Sequence, residues 1–161
     1  MKIEKFISNS DDETKQIAKN IAAVLQSGDI LLLSGDLGVG KTVFAKGIGE
    51  YFGITKEITS PTFAIMNLYD RDPDLHPRGT CRYARAHRDD NIKSLIHIDT
   101  YRLKDEQEII DIGALDYIGQ PDTITVIEWP EKIENLIQNK KRIVVKITHD
   151  SDSKRLIEVK I

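Results

Sequence analysis

The sequence predicts an α/β domain of three layers, with a mainly parallel sheet between helices and a C-terminal antiparallel hairpin. Three observations lead there. Short apolar, β-branched runs alternate with helix-patterned segments along the chain, the order that places helices on the faces of a parallel sheet. A glycine-rich turn joins one of those runs to a helix-patterned segment. From Arg142 onward, two strand-like runs flank Asp150-Ser151-Asp152-Ser153, a composition that turns the chain back on itself.

Each element has its own signal. Residues 2–7 alternate polar and apolar side chains, as a strand with one wet face does. Ser10 and Glu13 stand at the N-cap and third helical positions of a capping box. Ile17, Ile21, Val24 and Leu25 give the following helix an apolar face, and Gly28 closes the segment. Residues 30–33 are continuously apolar, as a strand buried on both faces is. A helix is expected over 41–51, ending near Gly53. Gly47 and Gly49 each weaken it by about 1 kcal/mol relative to alanine, so close packing is the expected reason for them. Pro61 keeps Ser60 out of helical geometry and marks 59–62 as loop.

Residues 63–69, 94–99 and 123–128 read as further strands, the last two ending in carboxylates. Residues 105–118 hold one or two short helices, and Pro130 starts a helix to about Gln138. Residues 71–93 carry Pro73, Pro77, Gly79 and many charges without a period. They are expected to form a mobile loop inserted into a single domain spanning residues 1–161, since loops this long are usually functional or mobile.

Composition narrows the function classes. A chain of 161 residues with 40% hydrophobic and 30% charged residues can bury an ordinary globular core. No apolar run approaches the ~18 residues of a membrane helix, and the N-terminus does not read as a secretory signal. The single cysteine, Cys81, fits a reducing compartment. A cytoplasmic location without membrane attachment is therefore expected. Twenty-three basic residues against 26 acidic ones leave a net charge of −3, which argues against holding nucleic acid by bulk electrostatics.

Gly35-Asp36-Leu37-Gly38-Val39-Gly40-Lys41-Thr42 matches G-x-x-x-x-G-K-[ST] at every fixed position, between an apolar strand and a helix. The residue types follow from the ligand. A polyphosphate needs several donors aimed at one point, and glycines let successive N–H groups turn inward as a nest. The helix that follows adds its dipole and free N–H groups. Lys41 would reach the β- and γ-phosphates, and the Thr42 hydroxyl would ligate Mg²⁺. The domain is thus expected to be P-loop NTPase-like, with Gly38, Val39, Gly40, Lys41 and Thr42 as nucleotide-binding residues.

A second anchor for the cation and a base for water both call for a carboxylate at the end of a neighbouring strand. Asp99 and Glu128 qualify, and the residues alone leave open which does which. No N-K-x-D motif reads guanine, since Arg142 stands where its aspartate belongs in Asn139-Lys140-Lys141-Arg142. ATP is therefore the expected substrate.

Five elements together resemble the TsaE family of P-loop ATPases in bacterial tRNA threonylcarbamoyladenosine biosynthesis. They are the glycine-rich motif, Ser60-Pro61-Thr62-Phe63, His97-Ile98-Asp99-Thr100-Tyr101-Arg102-Leu103, the helical segment around Gly113, and Glu128-Trp129. The resemblance implies a Mg²⁺-dependent ATPase that acts with TsaB and TsaD partners and meets tRNA only through them. The partners would transfer threonylcarbamoyl to N6 of the adenosine beside the anticodon. By motif match it implies Lys41, Asp99 and Glu128 as catalytic residues. Thr42 and Glu128 become Mg²⁺ ligands, with Asp99 at the γ-phosphate or the water. Thr62 joins the nucleotide-binding set in a switch-like loop. Trp129 is read as a nucleotide neighbour or, equally, as a buried structural tryptophan. Ser10 and Arg155 are weaker candidates for nucleotide contact, with a surface role favoured for both.

The insertion departs from the family pattern. Arg78, Arg82, Arg85 and Arg88 fall within it without an intervening acid. It reads either as a solvated loop or as a basic arm for tRNA or an acidic protein surface. His76, Cys81 and His87 share no zinc-ligand spacing. Two other readings of the chain stand beside the first. One is a small-molecule kinase with an arginine-bearing lid, and the other a non-catalytic ATP-gated interaction module.

Overall fold

A computed structural model describes residues 2–74, 91–151 and 154–160. Arg78, Arg82, Arg85, Arg88, His76, His87 and Cys81 of the insertion lie outside the described residues. The strands are β1 (Ile3–Ser8), β2 (Ile30–Ser34), β3 (Met66–Asp70), β4 (Ser94–Asp99), β5 (Thr123–Glu128), β6 (Arg142–Ser151) and β7 (Lys154–Lys160). They form one sheet in the order β1-β7-β6-β2-β5-β4-β3. The central four, β6, β2, β5 and β4, are mutually parallel. The outer pairings, β1 with β7, β7 with β6 and β3 with β4, are antiparallel. The expected C-terminal hairpin is β6–β7, with a bulge between His149 and Ser151.

Two apolar layers sandwich the sheet. Helices α1 (Asp11–Ala22) and α2 (Lys41–Tyr51) cover one face, where Ile21, Phe44 and Ile48 pack on Leu31, Leu33 and Val126. Shorter pieces cover the other face: α3 (Gln107–Asp111), α4 (Glu134–Ile137) and two 3₁₀ turns, Ala114–Asp116 and Pro130–Lys132. There Ile109 and Ile133 meet Leu32, Ile96 and Ile98. Alternation along β2 and β4 sends neighbouring side chains to opposite layers. Each fully buried Ile, Leu or Phe contributes about 1.5–3 kcal/mol.

Gly47 owes its place to α1. A Cβ there would lie 2.6 Å from the Lys15 carbonyl oxygen and 2.7 Å from Ala18 Cβ, so glycine lets the two helices touch. Ser10 caps α1 by accepting the Glu13 N–H at 3.1 Å. The return bond of the capping box is displaced by one residue, because the Glu13 carboxylate accepts from the Asn9 backbone and side chain instead.

Two expectations need correction. The strand read over 63–69 begins only at Met66. Residues 62–64 form a turn instead, closed by the Ile65 N–H on the Pro61 carbonyl at 2.6 Å, because Ser60 and Thr62 are drawn onto Asp99. The helix read from Pro130 to Gln138 is two pieces, broken at Ile133, whose φ of −127° is not helical. The ends of the insertion are held together, with the Arg71 N–H on the Lys93 carbonyl at 2.7 Å.

Candidate functional site

The site lies where the parallel strands end. β2 runs straight into the glycine-rich turn, and α2 starts at Lys41 directly after it. Gly35 and Gly40 hold left-handed φ values of 138° and 108°, which L side chains rarely adopt. A Cβ on Gly35 would meet the Ile147 carbonyl oxygen at 2.1 Å. No side chain caps α2, so its first-turn N–H groups are left for an anion.

A cavity of about 270 Å³ opens over this turn, lined by residues that include Gly38, Gly40, Thr62, Asp99, Tyr101 and Trp129. Lys41, Thr42, Ser60 and Glu128 also reach it. Val39 is different: it is fully buried in the core, its N–H donates to the Asp36 carbonyl at 3.3 Å, and it does not line the cavity.

Lys41 is 4% exposed, and its ammonium is fully engaged. Nζ donates to the Gly35 carbonyl at 2.7 Å and the Asp36 carbonyl at 2.8 Å. It also lies 4.0 Å from the centre of the Trp129 ring, a cation–π distance. Burial pulls its pKa below the usual lysine value, and Glu128, Asp99, Glu131 and Asp36 offset this only in part. Trp129 takes φ 57° directly after β5 and leans against Tyr101 with ring centres 5.0 Å apart. It is half-buried at the cavity wall, so the structure places it beside the phosphate loop.

The sheet separates the two carboxylates by their distance from the glycine-rich loop. Asp99 and Glu128 are register partners on β4 and β5, while Glu128 also pairs with Leu33 on β2. Adjacent strands are about 4.8 Å apart, so Glu128 stands one strand from the phosphate loop and Asp99 two. Glu128 Oε1 accepts from the Thr42 hydroxyl at 3.0 Å. Asp99 Oδ2 accepts from Ser60 at 2.7 Å and Thr62 at 2.8 Å, and Oδ1 from the Tyr101 N–H at 2.9 Å. The Thr42 and Glu128 oxygens are hard donors that fit magnesium, a cation that completes its shell with phosphates and water.

Two residues emerge here that sequence reasoning underweighted. Arg155, read as a surface residue, lies against the phosphate loop: a Cβ on Gly40 would meet its Nε at 3.1 Å. Asp11 at 2.7 Å and Thr14 at 3.1 Å hold its guanidinium. Nothing local in β7 signals this, because the contact joins chain ends. His97 is wholly buried against Glu128, 2.9 Å from Nε2 to Oε1. An imidazole inside an apolar strand was its available signal. Ser10 itself is exposed and serves α1 as its cap.

A sequence profile for the family described as "Threonylcarbamoyl adenosine biosynthesis protein TsaE" matches residues 8–157. A relative from Bacillus subtilis (strain 168), named tRNA threonylcarbamoyladenosine biosynthesis protein TsaE, is 38% identical over 154 residues. The match covers 94% of this chain and 83% of the relative. A relative of the same name from Rickettsia bellii (strain RML369-C) is 36% identical over 154 residues, covering 95% and 92%. The crystal structure of Bacillus subtilis YdiB superposes with a TM-score of 0.70 at 30% identity, covering 98% of this chain and 84% of that one.

Proposed function

The chain belongs to the TsaE family, with a role in tRNA threonylcarbamoyladenosine biosynthesis, and from that premise we propose that it is the ATP-binding, ATP-hydrolysing subunit of the system. The observation that carries this reading is the Thr42 hydroxyl 3.0 Å from Glu128 at the base of a phosphate loop. That pair would hold Mg²⁺, which when bound neutralises phosphate charge.

The chain's own residues do the rest. The loop N–H groups and the α2 N-terminus bind the phosphates. Lys41 exchanges a loop carbonyl for a phosphate oxygen and keeps its charge at the β–γ bridge, where charge builds as the bond breaks. Asp99 orients the attacking water once a hydroxyl leaves it. The water oxygen bonds to the γ-phosphorus as the bond from that phosphorus to the β–γ bridging oxygen breaks, the water gives a proton to a γ-phosphate oxygen, and ADP and inorganic phosphate depart. Ser60 and Thr62 now occupy Oδ2 of Asp99. Their release toward a γ-phosphate would free that oxygen and move the 60–64 segment, a switch that reports the nucleotide state.

Threonylcarbamoyl transfer to N6 of the tRNA adenosine is assigned to the TsaB and TsaD partners, in the cytoplasm, with tRNA reached through them. Among the described residues no helix is long and apolar enough to cross a membrane. The test combines ATP binding and hydrolysis with a pull-down by the TsaB–TsaD pair, with and without ATP, and a tRNA modification assay. Glu128→Ala should lose the magnesium requirement together with turnover. Asp99→Asn and Thr62→Ala should bind ATP yet lose turnover and ATP-dependent capture. Full turnover in Asp99→Asn would remove it from the water site, and partner capture indifferent to ATP would remove the switch.

A further inference from the structure

Behind the Thr42–Glu128 contact lies a residue that no phosphate-loop motif contains. His97 is 0% exposed, and its Nε2 lies 2.9 Å from Glu128 Oε1, the oxygen that Thr42 reaches at 3.0 Å. The register explains the reach. His97 pairs with Val126 on β5, so Glu128 is its diagonal neighbour two residues on, on the same face of the sheet. The other ring nitrogen, Nδ1, has no hydrogen-bond partner among the described residues.

That half-satisfied imidazole is informative. A buried polar atom without a partner costs free energy, and a leucine of similar size would avoid the cost if packing were the purpose. Glu128 accepts, so the hydrogen facing it belongs on Nε2. A donor on each side of Oε1, Thr42 and His97, fixes the carboxylate in one rotamer before any ligand arrives. Hydrogen bonds of this kind orient metal ligands elsewhere, and losing one typically costs 10–100-fold in metal affinity.

We propose that His97 is a positioning residue for the cation site, holding Glu128 Oε1 toward the Thr42 hydroxyl so that the pair is preorganised for Mg²⁺. This rests on the cation-site reading of Thr42 and Glu128. The test titrates Mg²⁺ against binding of a fluorescent ATP analogue in wild type, His97→Leu and His97→Gln, with thermal melts alongside. His97→Gln keeps an N–H near the position of Nε2, and His97→Leu keeps bulk without a donor. The half-saturating Mg²⁺ concentration should rise 10–100-fold in His97→Leu and stay close to wild type in His97→Gln. Analogue binding in EDTA should match across all three.

Two results would overturn the assignment: a His97→Leu protein that responds to Mg²⁺ like wild type, or a His97→Gln protein as impaired as His97→Leu. If His97→Leu does not fold, His97→Asn, whose amide falls short of Oε1, takes its place. Nitrogen-15 NMR of the wild-type ring gives a reading independent of folding in any variant. It should find the hydrogen on Nε2, and a ring protonated only at Nδ1 would sink the idea. Wild-type nucleotide binding that ignores Mg²⁺ would instead overturn the cation-site reading itself, so the two failures are distinguishable.

Discussion

Lys41 concentrates the chemistry of the site in one side chain. Its ammonium is satisfied by two loop carbonyls and the Trp129 face, so a phosphate must replace one of them. Lys41→Ala should bind ATP far more weakly while keeping its melting profile, as read by calorimetric titration with thermal unfolding. The pH dependence follows from burial. With its pKa below the ordinary lysine value of 10.5, Lys41 sheds its proton earlier in the folded chain than in the unfolded one. In the window between the lowered value and 10.5 the unfolded state binds more protons, so this group makes the fold more stable as pH rises. ATP affinity moves the opposite way, because the cation is being lost. Binding on the alkaline side should therefore take up a proton, visible as a buffer-dependent binding enthalpy. Buffer-independent enthalpy there would place Lys41 among ordinary lysines.

At the scale of elements, the α1–α2 contact is set by a glycine. Gly47→Ala gains about 1 kcal/mol of helix propensity and forces a Cβ against the Lys15 carbonyl and Ala18 Cβ. Overpacking costs about 1–3 kcal/mol, and a backbone atom cannot swing away, so a net loss is expected in urea unfolding. Gly49→Ala is the comparison: its Cβ would meet the end of the Ile58 side chain at 2.1 Å, which can rotate, so the loss should be smaller. The same helix pair carries Glu50 between Lys19 at 2.7 Å and Lys15 at 3.2 Å. Burial pushes the Glu50 carboxyl up, the two lysines pull it down, and the lysines win. Glu50 is 40% exposed, so solvent screening limits Glu50→Gln to a loss of about 0.2–1 kcal/mol at neutral pH. A lowered carboxylate pKa contributes its stability above the ordinary glutamate value of 4.5, and the contribution fades as pH falls through the folded value. The two proteins should accordingly converge in strong acid.

Across the whole molecule, the phosphate loop is braced from a distant part of the chain. β7 lies between β1 and β6, and this delivers Arg155 to Gly40 while Asp11 and Thr14 of α1 hold its guanidinium. Arg155→Ala should lower ATP affinity, with a stability loss of only about 0.5–1.5 kcal/mol, because Asp11 is 60% exposed and solvent screens the pair. ATP titration and melting measure the two effects separately. Unchanged affinity would leave Arg155 as a strap between the first helix and the last strand.

Much of this was legible in the sequence because it is locally encoded. The phosphate loop needs its glycines, lysine and threonine within eight consecutive positions, and the boundaries of α2, β4 and β5 follow from apolar runs and carboxylate ends. The turn at 62–64 was misread because Phe63 and Ile65 look like strand residues, whereas distant hydrogen bonds to Asp99 decide the backbone there. Residues alone could not divide the work between Asp99 and Glu128. Strand order ranks their distance from the glycine-rich loop, by setting β5 next to β2 and β4 one place further out. Likewise His97 meets Glu128, and Arg155 meets Gly40, through pairings that no local pattern records. Neighbours along the chain set which chemical groups the protein carries and the backbone geometry of its loop. Which of those groups come together follows from the fold, because non-local strand pairing sets distances that residue identity leaves free.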